Sequence, residues 1–291
     1  TALYGSQASS GAIIITTKKA KSNKLAIQYD NNFRLQKVTR YPEIFDEFSS
    51  GLNGSPSNIF RYFGPLYEEG TVLFDNKKKF FKTGFSQTHN LGMDFGVKNS
   101  IFRFSASYLN QDGIIPTNTY KRLTLKLSNT TKIGTKIDIS PSITYSNTEN
   151  NKVLRGAGGF LLGLLSWPST NDITASQGDN GTKLPLFASN PNSEFDNPLF
   201  NVNNNKSQEK TDRYNASLGI NIRPFSWLAL AGRFGYETYS TDGYLRYHPL
   251  SFYIAGNVGG IQDNFNRKYS GYNHTITATA KKTISKNLNL R

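Results

Sequence analysis

Residues Arg213 to Ile222 read RYNASLGINI, and in this stretch polar and apolar residues alternate at every position. One side of an extended chain would carry the apolar residues Tyr214, Ala216, Leu218, Ile220 and Ile222. The other side would carry only polar residues and glycine, namely Arg213, Asn215, Ser217, Gly219 and Asn221. A period of two is that of a β-strand. The stretch therefore predicts a strand that separates an apolar from a polar environment.

The same alternation recurs along the chain, and the longest stretches have about ten residues, the length with which a tilted strand crosses a bilayer. The clearest repeats are Leu91–Val97, Ile101–Asn110, Leu123–Ser128, Ile137–Ser146 and Tyr272–Ala280. Counting all such segments gives about nine strands. The sequence therefore predicts an all-β chain.

The lengths of the connections distinguish a soluble sandwich from a membrane barrel. Short links are predicted at Lys98–Ser100, Thr131–Gly134, Arg223–Ser226 and Thr283–Asn287. They alternate with long loops near residues 36–84, 111–119, 148–210 and 240–268. Short turns at one end and long loops at the other are typical of an outer-membrane barrel, whereas a sandwich rarely carries such long loops. We therefore predict a partial antiparallel transmembrane β-barrel.

Composition and motifs exclude several other classes of function. The net charge of +14 comes mostly from singly dispersed basic residues, and no nucleic-acid-binding signature accompanies them, so we expect no nucleic-acid partner. The chain has no cysteine, its three histidines lie far apart, and it contains no nucleophile elbow or phosphate-binding loop. We therefore expect no catalytic residues, no cofactor, no metal site and no enzyme activity.

The segment before the first strand has a different character. Leu3 to Lys19 reads LYGSQASSGAIIITTKK, in which a turn of small residues leads into the β-branched run Ile13 to Thr17. A short β-branched run bounded by Gly and Ser favours a buried strand over a helix. We interpret residues 1–22 as the C-terminal end of one domain and residues 23–291 as the beginning of a second, which predicts a fragment of a longer protein.

These motifs resemble those of the SusC/RagA-type TonB-dependent outer-membrane transporters of Bacteroidota. The family's plug domain usually ends in Tyr-Gly-Ser-Arg-Ala-Ala/Ser-Asn-Gly-Val-Ile and then Thr-Thr-Lys-Lys-Gly. Tyr4 to Ser6 and Thr16 to Lys19 match that pattern, whereas Gln7, Ser10 and Ala20 depart from it. Further similar segments are Thr83–Asn90, Tyr108–Arg122 and Trp227–Glu237.

The resemblance implies a plug followed by a 22-stranded barrel. It implies active import of a large solute across the cell outer membrane, with an oligosaccharide or glycan as first choice and an oligopeptide as second. The implied partners are a SusD-like surface lipoprotein, the TonB–ExbB–ExbD complex and outer-membrane lipid. The alternative function is a non-transporting structural or adhesive outer-membrane barrel, and a plug tail favours the importer.

Four aromatic residues of the long loops are candidates for solute binding: Phe160, Trp167, Tyr244 and Tyr247. The segment Gly156–Ser169, GAGGFLLGLLSWPS, predicts a short helix that ends at Pro168. Its aromatic residues either pack against neighbouring loops or present a ring to a sugar or to the lid protein. The same two interpretations apply to Tyr244 and Tyr247, because loop tyrosines serve both purposes.

Overall fold

A computed structural model describes residues 24–43, 46–187, 195–252, 259–285 and 288–290. The predicted plug end at residues 1–22 lies outside these residues. Eight long strands form one sheet: β1 (Ala26–Gln36), β4 (Gly84–Val97), β5 (Ser100–Asp112), β6 (Thr119–Ile133), β7 (Ile137–Lys152), β8 (Lys206–Phe225), β9 (Leu228–Tyr247) and β10 (Ile261–Ala280). Short hairpins are formed by β2 (Gly51–Leu52) with β3 (Ser55–Pro56) and by β11 (Lys282–Ser285) with β12 (Leu288–Leu290).

The long strands pair in the order β1-β4-β5-β6-β7-β8-β9-β10, and every pair is antiparallel. This meander confirms the predicted fold class. The predicted number of about nine strands compares with eight in this sheet, because β11 and β12 pair with each other instead of with β10. Among the described helices, none is long and apolar enough to span a bilayer.

The two ends of the sheet differ, as the sequence predicts. At one end, two or three residues join the strands: 98–99, 134–136 and 226–227. At the other end lie residues 37–83, 113–118, 153–205 and 248–260. Lys98 and Gly134 have positive φ values of 51° and 59°, which tight turns require.

The last two long connections are shorter than the predicted ranges 148–210 and 240–268, and the first of them covers residues 153–205. β9 continues to Tyr247 and β10 begins at Ile261, so Ser240 to Tyr247 belong to the sheet. Residues Ser240 to Gly243 are polar or glycine and show no alternation in the sequence. They are held as a strand because β8 and β10 pair with them on both sides in an unbroken register.

One face of the sheet, which we term the apolar face, carries a continuous row of hydrophobic side chains. The register places one such residue of every long strand side by side: Ile27, Met93, Phe104, Leu127, Ile143, Ala216, Tyr236 and Tyr272. These residues are not covered by other parts of the described chain, since Ile143 is 52% exposed and Tyr272 is 74% exposed.

The apolar region ends before the long connections on β7 to β10, whereas β5 and β6 still carry Tyr108 and Leu123 at the same level. Towards the long connections, the next row on the apolar face contains Tyr29, Tyr145 and Tyr214, and the row after it contains Asn147, Asp212, Ser240 and Lys268. Tyrosines between an apolar band and a polar region are typical of a membrane interface. The strands β8 to β10 therefore continue beyond the apolar band as a polar wall.

The opposite face, which we term the polar face, shows the complementary pattern. Its corresponding row contains no hydrophobic side chain and consists of Gln28, Gly92, Ser105, Lys126, Thr144, Asn215, Glu237 and Gly271. Thus the alternation that the sequence shows strand by strand is aligned across all eight strands, as a barrel with unlike environments on its two sides requires.

The long connections pack together into a cap with its own core. Among the described residues it contains the helices α1 (Asn76–Phe80), α2 (Phe160–Ser166) and α3 (Pro198–Asn204). The predicted helix in Gly156–Ser169 is confirmed as α2, which ends one residue before Trp167 and two before Pro168. The core of the cap combines residues that are distant in sequence, namely Phe80, Val153, Phe160, Leu164, Trp167, Ile173 and Val202.

Candidate functional site

The polar face of β7 to β10 contains a depression of about 370 Å³. Its floor is made by small residues, among them Ser142, Ser217, Gly235 and Gly271. Around this floor stand the polar residues Asn215, Glu237 and Asn273 and the ring of Tyr269, and Ala216, Tyr236 and Tyr272 complete the lining. Because small residues at adjacent register positions leave space above the sheet, the depression follows directly from the sequence of these strands.

The ring of Tyr269 is positioned by the glycine that lies two residues further along β10. A Cβ atom added to Gly271 would lie 2.5 Å from the Tyr269 hydroxyl oxygen and 2.9 Å from its Cζ atom. The side chain therefore extends along the strand above Gly271, on the polar face. Tyr239, directly opposite on β9, stacks against it with 5.2 Å between ring centroids, and Tyr269 nevertheless stays 47% exposed.

A charge pair borders the depression. The Arg213 guanidinium donates to Glu237 Oε1 over 2.9 Å and lies 4.8 Å from the centroid of the Tyr239 ring. Such a pair on an exposed sheet contributes little to stability. It does fix the orientation of both side chains and leaves this part of the wall without net charge.

The amides of the depression are available for hydrogen bonds. Within the part of the chain that the structure describes, the side chains of Asn215 and Asn273 form no hydrogen bond, whereas Ser142 and Ser217 bond each other over 2.8 Å. Each amide offers two donors and one acceptor oxygen. The site therefore presents an exposed aromatic ring, a carboxylate and two free amides, a set suited to a polar uncharged ligand.

The cap is held together by a buried carboxylate, Asp196, which no pattern in the sequence indicates. Asp196 accepts hydrogen bonds from Lys183 Nζ, Ser251 Oγ, Phe252 N and Asn201 Nδ2 over 2.6 to 3.2 Å. The side chains of Lys183 and Asp196 are 8% and 5% exposed. The cluster joins the connection before β8 to the connection after β9.

Buried asparagines extend this network. Asn197 donates to the Ile173 carbonyl, and the Ile173 amide donates to Asn76 Oδ1. Asn205 bonds the Ser251 hydroxyl and accepts from the His248 amide. Asparagine is abundant throughout this sequence and mostly marks turns, so no local signal separates these buried residues from the exposed ones.

Two of the predicted solute-binding residues lie inside the cap. Phe160 is 8% exposed and stacks on Phe80 with 4.8 Å between ring centroids, and Trp167 is 7% exposed and contacts Phe60. The Trp167 indole N–H has no acceptor among the described residues. Burial supports the packing interpretation for both rings, and their contact with a solute stays a prediction.

The other two predicted residues lie on opposite sides of the sheet. Tyr244 shares the side of Tyr236 and lines a polar hollow beyond the apolar band, together with Gln208 and Asn266. Tyr247, the last residue of β9, is on the side of Tyr239 and faces Ile261. The four residues therefore do not form one site, and binding by Tyr244 or Tyr247 stays a prediction.

Described residues that could ligate a metal do not converge, since no group of three His, Asp or Glu side chains is close enough for a shared ion. The predicted absence of a metal site stays a prediction.

The shifted pKa values in the cap arise from contacts that hold the cap together. Asp172, for example, bonds Lys79 over 2.6 Å, and this bond with that from Thr174 lowers the pKa of Asp172 to about 2.

His248 is expected to make the cap sensitive to mild acid. Burial and the neighbouring Arg246 lower the pKa of His248, and its Nδ1 accepts from the Leu250 amide. A group with a depressed pKa in the folded state resists protonation, so its stabilising effect is complete above the unfolded pKa of about 6.5 and is lost as pH falls below it. Limited proteolysis of the cap should therefore accelerate between pH 7 and pH 5.

A His248→Phe variant provides the control, because its ring can keep the contact with Phe200 but cannot be protonated. We expect its cleavage rate to change much less over the same pH range. Equal acceleration in both proteins would mean that another group causes the effect.

The chain is similar in sequence to known outer-membrane receptors. No protein-family model matches the chain. The TonB-dependent receptor P3 of Formosa agariphila is 25% identical over 279 residues, which cover 89% of this chain and 25% of the receptor. The TonB-dependent receptor SusC of Bacteroides thetaiotaomicron is 29% identical over 136 residues, 44% of this chain and 13% of SusC. The chain thus spans a quarter or less of the length of these relatives.

Solved structures agree with the sequence comparison at the level of the fold. The RagAB peptide importer in its closed-closed state has a TM-score of 0.69 at 17% identity, covering 97% of this chain and 35% of the solved chain. Its open-open state gives a TM-score of 0.66 at 16% identity, covering 93% and 34%. These likenesses confirm the predicted resemblance and the barrel fold class, and the named relatives are receptors and importers.

Proposed function

We propose that this chain, which resembles the SusC/RagA-type TonB-dependent transporters in sequence and fold, forms part of an outer-membrane barrel that imports a large solute. The observation that carries the proposal is the alignment of apolar and polar rows across all eight strands. A sheet with an uncovered apolar face and a hydrated opposite face suits a wall between lipid and an aqueous lumen. The TonB-dependent relatives support energised import over passive diffusion.

This proposal gives each part of the chain a role. Residues 1–22 would end the plug, and residues 23–291 would form the first part of the barrel. The apolar face would contact outer-membrane lipid, with the tyrosine row near the membrane surface. The short turns would face the periplasm and the cap would face outward, in accordance with the usual arrangement of such barrels.

The partners follow from the same resemblance. A SusD-like surface lipoprotein would cover the outward end, and the TonB–ExbB–ExbD complex would supply the energy through the plug. For the cargo, an oligosaccharide or glycan is our first choice and an oligopeptide the second. RagAB is a peptide importer, and the growth experiment below therefore includes oligopeptides as well as glycans.

Growth of a deletion strain tests the proposal. The strain and its parent are supplied with single glycans or with defined oligopeptides as the limiting carbon source. We expect the deletion to abolish growth on a narrow set of these sources and a plasmid copy to restore it, but only in cells with functional TonB. Growth that is indifferent to every source would contradict import and would favour the structural or adhesive barrel.

A further inference from the structure

We infer that the polar hollow around Tyr244, which we term the outer hollow, binds the saccharide headgroup of a glycolipid in the outer leaflet of the membrane. The outer hollow has a volume of about 510 Å³. It is lined mainly by side chains on the same side of the strands as the apolar face: Gln208, Lys210, Asp242, Tyr244, Asn264 and Asn266. The inference rests on the proposed function and deepens it, because it assigns a lipid ligand to the outside of the barrel.

The end of the apolar band runs obliquely across the sheet. On each strand from β5 to β10, the two apolar-face residues that follow this end towards the long connections are polar. The end residues, in strand order, are Tyr108, Leu123, Tyr145, Tyr214, Tyr236 and Tyr272. In the register, the end moves by two residues towards the short turns for every two strands.

This oblique line matches the surface of a membrane crossed by tilted strands. Two residues are about 6.6 Å along a strand, and two strand spacings are about 9.6 Å across the sheet, which gives a slope of about 35°. Strands of transmembrane barrels tilt by about 35–45°. The tilted end residues of the six strands therefore lie at one level in the membrane, and they define where the acyl chains end.

The outer hollow lies outside this boundary, at the level of lipid headgroups. Lys210 is four residues beyond Tyr214 on β8, and Tyr244 is eight residues beyond Tyr236 on β9. At a tilt of about 35°, these separations place the hollow about 11 to 22 Å beyond the end of the acyl chains. Headgroups of this height are those of glycolipids that carry several sugars.

The position of the outer hollow selects its occupant. The hollow continues the side of the sheet that carries Tyr214, Tyr236 and Tyr272, so a lipid that packs against these tyrosines extends its headgroup towards it. A plug inside the barrel would contact the opposite, polar face. The outer leaflet of an outer membrane consists largely of glycolipids with phosphorylated saccharide headgroups, and the occupant is therefore part of the membrane instead of a transported solute.

The lining of the outer hollow suits a saccharide. Tyr244 is half-buried and can present its ring to the C–H face of a sugar. The side-chain oxygen of Asn264 accepts from Gln262 over 3.2 Å, which leaves the Asn264 amide nitrogen to donate to a sugar hydroxyl. This arrangement provides a stacking surface together with a hydrogen-bond donor.

Two lysines near the membrane side of the outer hollow suit the phosphates of such a headgroup. Lys268 is exposed, lies four residues beyond Tyr272 and forms no ion pair with any residue that the structure describes. Lys210 is 57% exposed and lies 3.9 Å from Glu149. The carboxylate of Asp212, between the lysines and the boundary, already accepts from Tyr145 and Asn147 over 2.6 and 2.9 Å. Lysine near an anionic headgroup strengthens membrane binding.

Native mass spectrometry of the purified intact protein tests the inference without any energy source. The probes are rough lipopolysaccharide, which has a short saccharide core, lipid A, which lacks the core, and phosphatidylethanolamine. We expect rough lipopolysaccharide to bind about tenfold more tightly than lipid A. Tyr244→Ala should lower the affinity for lipopolysaccharide about threefold to tenfold and leave that for lipid A unchanged, whereas Lys268→Gln should lower both about fivefold.

Two variants of the polar face are the matched controls. Tyr269→Ala removes a ring from β10, and Lys126→Gln removes a lysine from β6, both on the side of the sheet that would face the lumen. Neither change should alter the affinity for any of the three lipids. Migration of each variant in heated and unheated gels verifies that the barrel has assembled.

Three outcomes would overturn the inference. Rough lipopolysaccharide binds no more tightly than lipid A, Tyr244→Ala binds it as the unaltered protein does, or the released core saccharide competes as strongly as the intact glycolipid, which would indicate a site for a free sugar. These outcomes are separate from those of the growth experiment. A barrel that does not import would still bind the glycolipid, and a barrel without this site would still import.

Discussion

Replacement of Ile143 by lysine is expected to prevent stable assembly of the barrel, whereas replacement of the adjacent Ser142 by lysine should be tolerated. Ile143 lies in the middle of the apolar row, between Leu127 and Ala216. A lysine on the lipid face near the bilayer midplane costs about 2–4 kcal/mol. Ser142 is on the polar face between Ser128 and Ser217, where a lysine can remain hydrated.

The measurement is the fraction of protein that resists unfolding in unheated gels and is recovered in outer-membrane vesicles. Because the two positions are adjacent on β7, they share backbone geometry, distance from the turn and strand neighbours. A difference in the assembled fraction between the two variants therefore shows the effect of the face on which the lysine lies. Equal tolerance of both lysines would contradict the assignment of the apolar face to lipid, and equal loss would indicate a general intolerance of β7.

The face of each strand was predictable because it depends on a period of two that the sequence displays openly. In β8, Tyr214 to Ile222 alternate without exception, and the structure places them as the pattern predicts. The limits of β9 were not predictable in the same way. From Ser240 to Gly243 every residue is polar or glycine, so the period disappears, and only pairing with β8 and β10 defines Ser240 to Tyr247 as a strand.

The candidate site was partly visible in the sequence. The alternation along β8 predicts that Arg213, Asn215 and Ser217 lie on the polar face of their strand. Their proximity to Glu237 and Tyr269 depends on the register between strands, which no single strand contains. The predicted site residues are aromatic residues of the loops. Burial of Phe160 and Trp167 depends on contacts with Phe80 and Phe60, which lie 80 and 107 positions away in the sequence. Sequence alone therefore could not distinguish a packed ring from an exposed one.

Replacement of Asp196 by alanine is expected to open the cap while the barrel stays assembled. Removal of this carboxylate leaves the Lys183 ammonium buried without its partner and removes the acceptor of Ser251, Phe252 N and Asn201. Breaking a buried ion pair in this way costs about 3–5 kcal/mol. The population of opened caps should rise about a hundredfold or more, because 1.4 kcal/mol corresponds to a factor of ten.

Hydrogen exchange of the backbone amides, followed by mass spectrometry, measures this opening for residues 195–205 and for β5 to β7 in the same sample. We expect faster exchange in the first segment and unchanged exchange in the strands. Lys183→Met should have a smaller effect, since Asp196 keeps its other donors, and Asp179→Ala, an exposed carboxylate of the same connection, should have none. If residues 195–205 exchange at the same rate in Asp196→Ala and in Asp179→Ala, the Asp196 carboxylate does not hold the cap. If exchange in β5 to β7 is also faster in Asp196→Ala, the cap and the barrel unfold as one unit. Comparison of the three variants thus shows whether the cap opens because the buried Asp196 carboxylate is lost or because any acidic residue of this connection is lost.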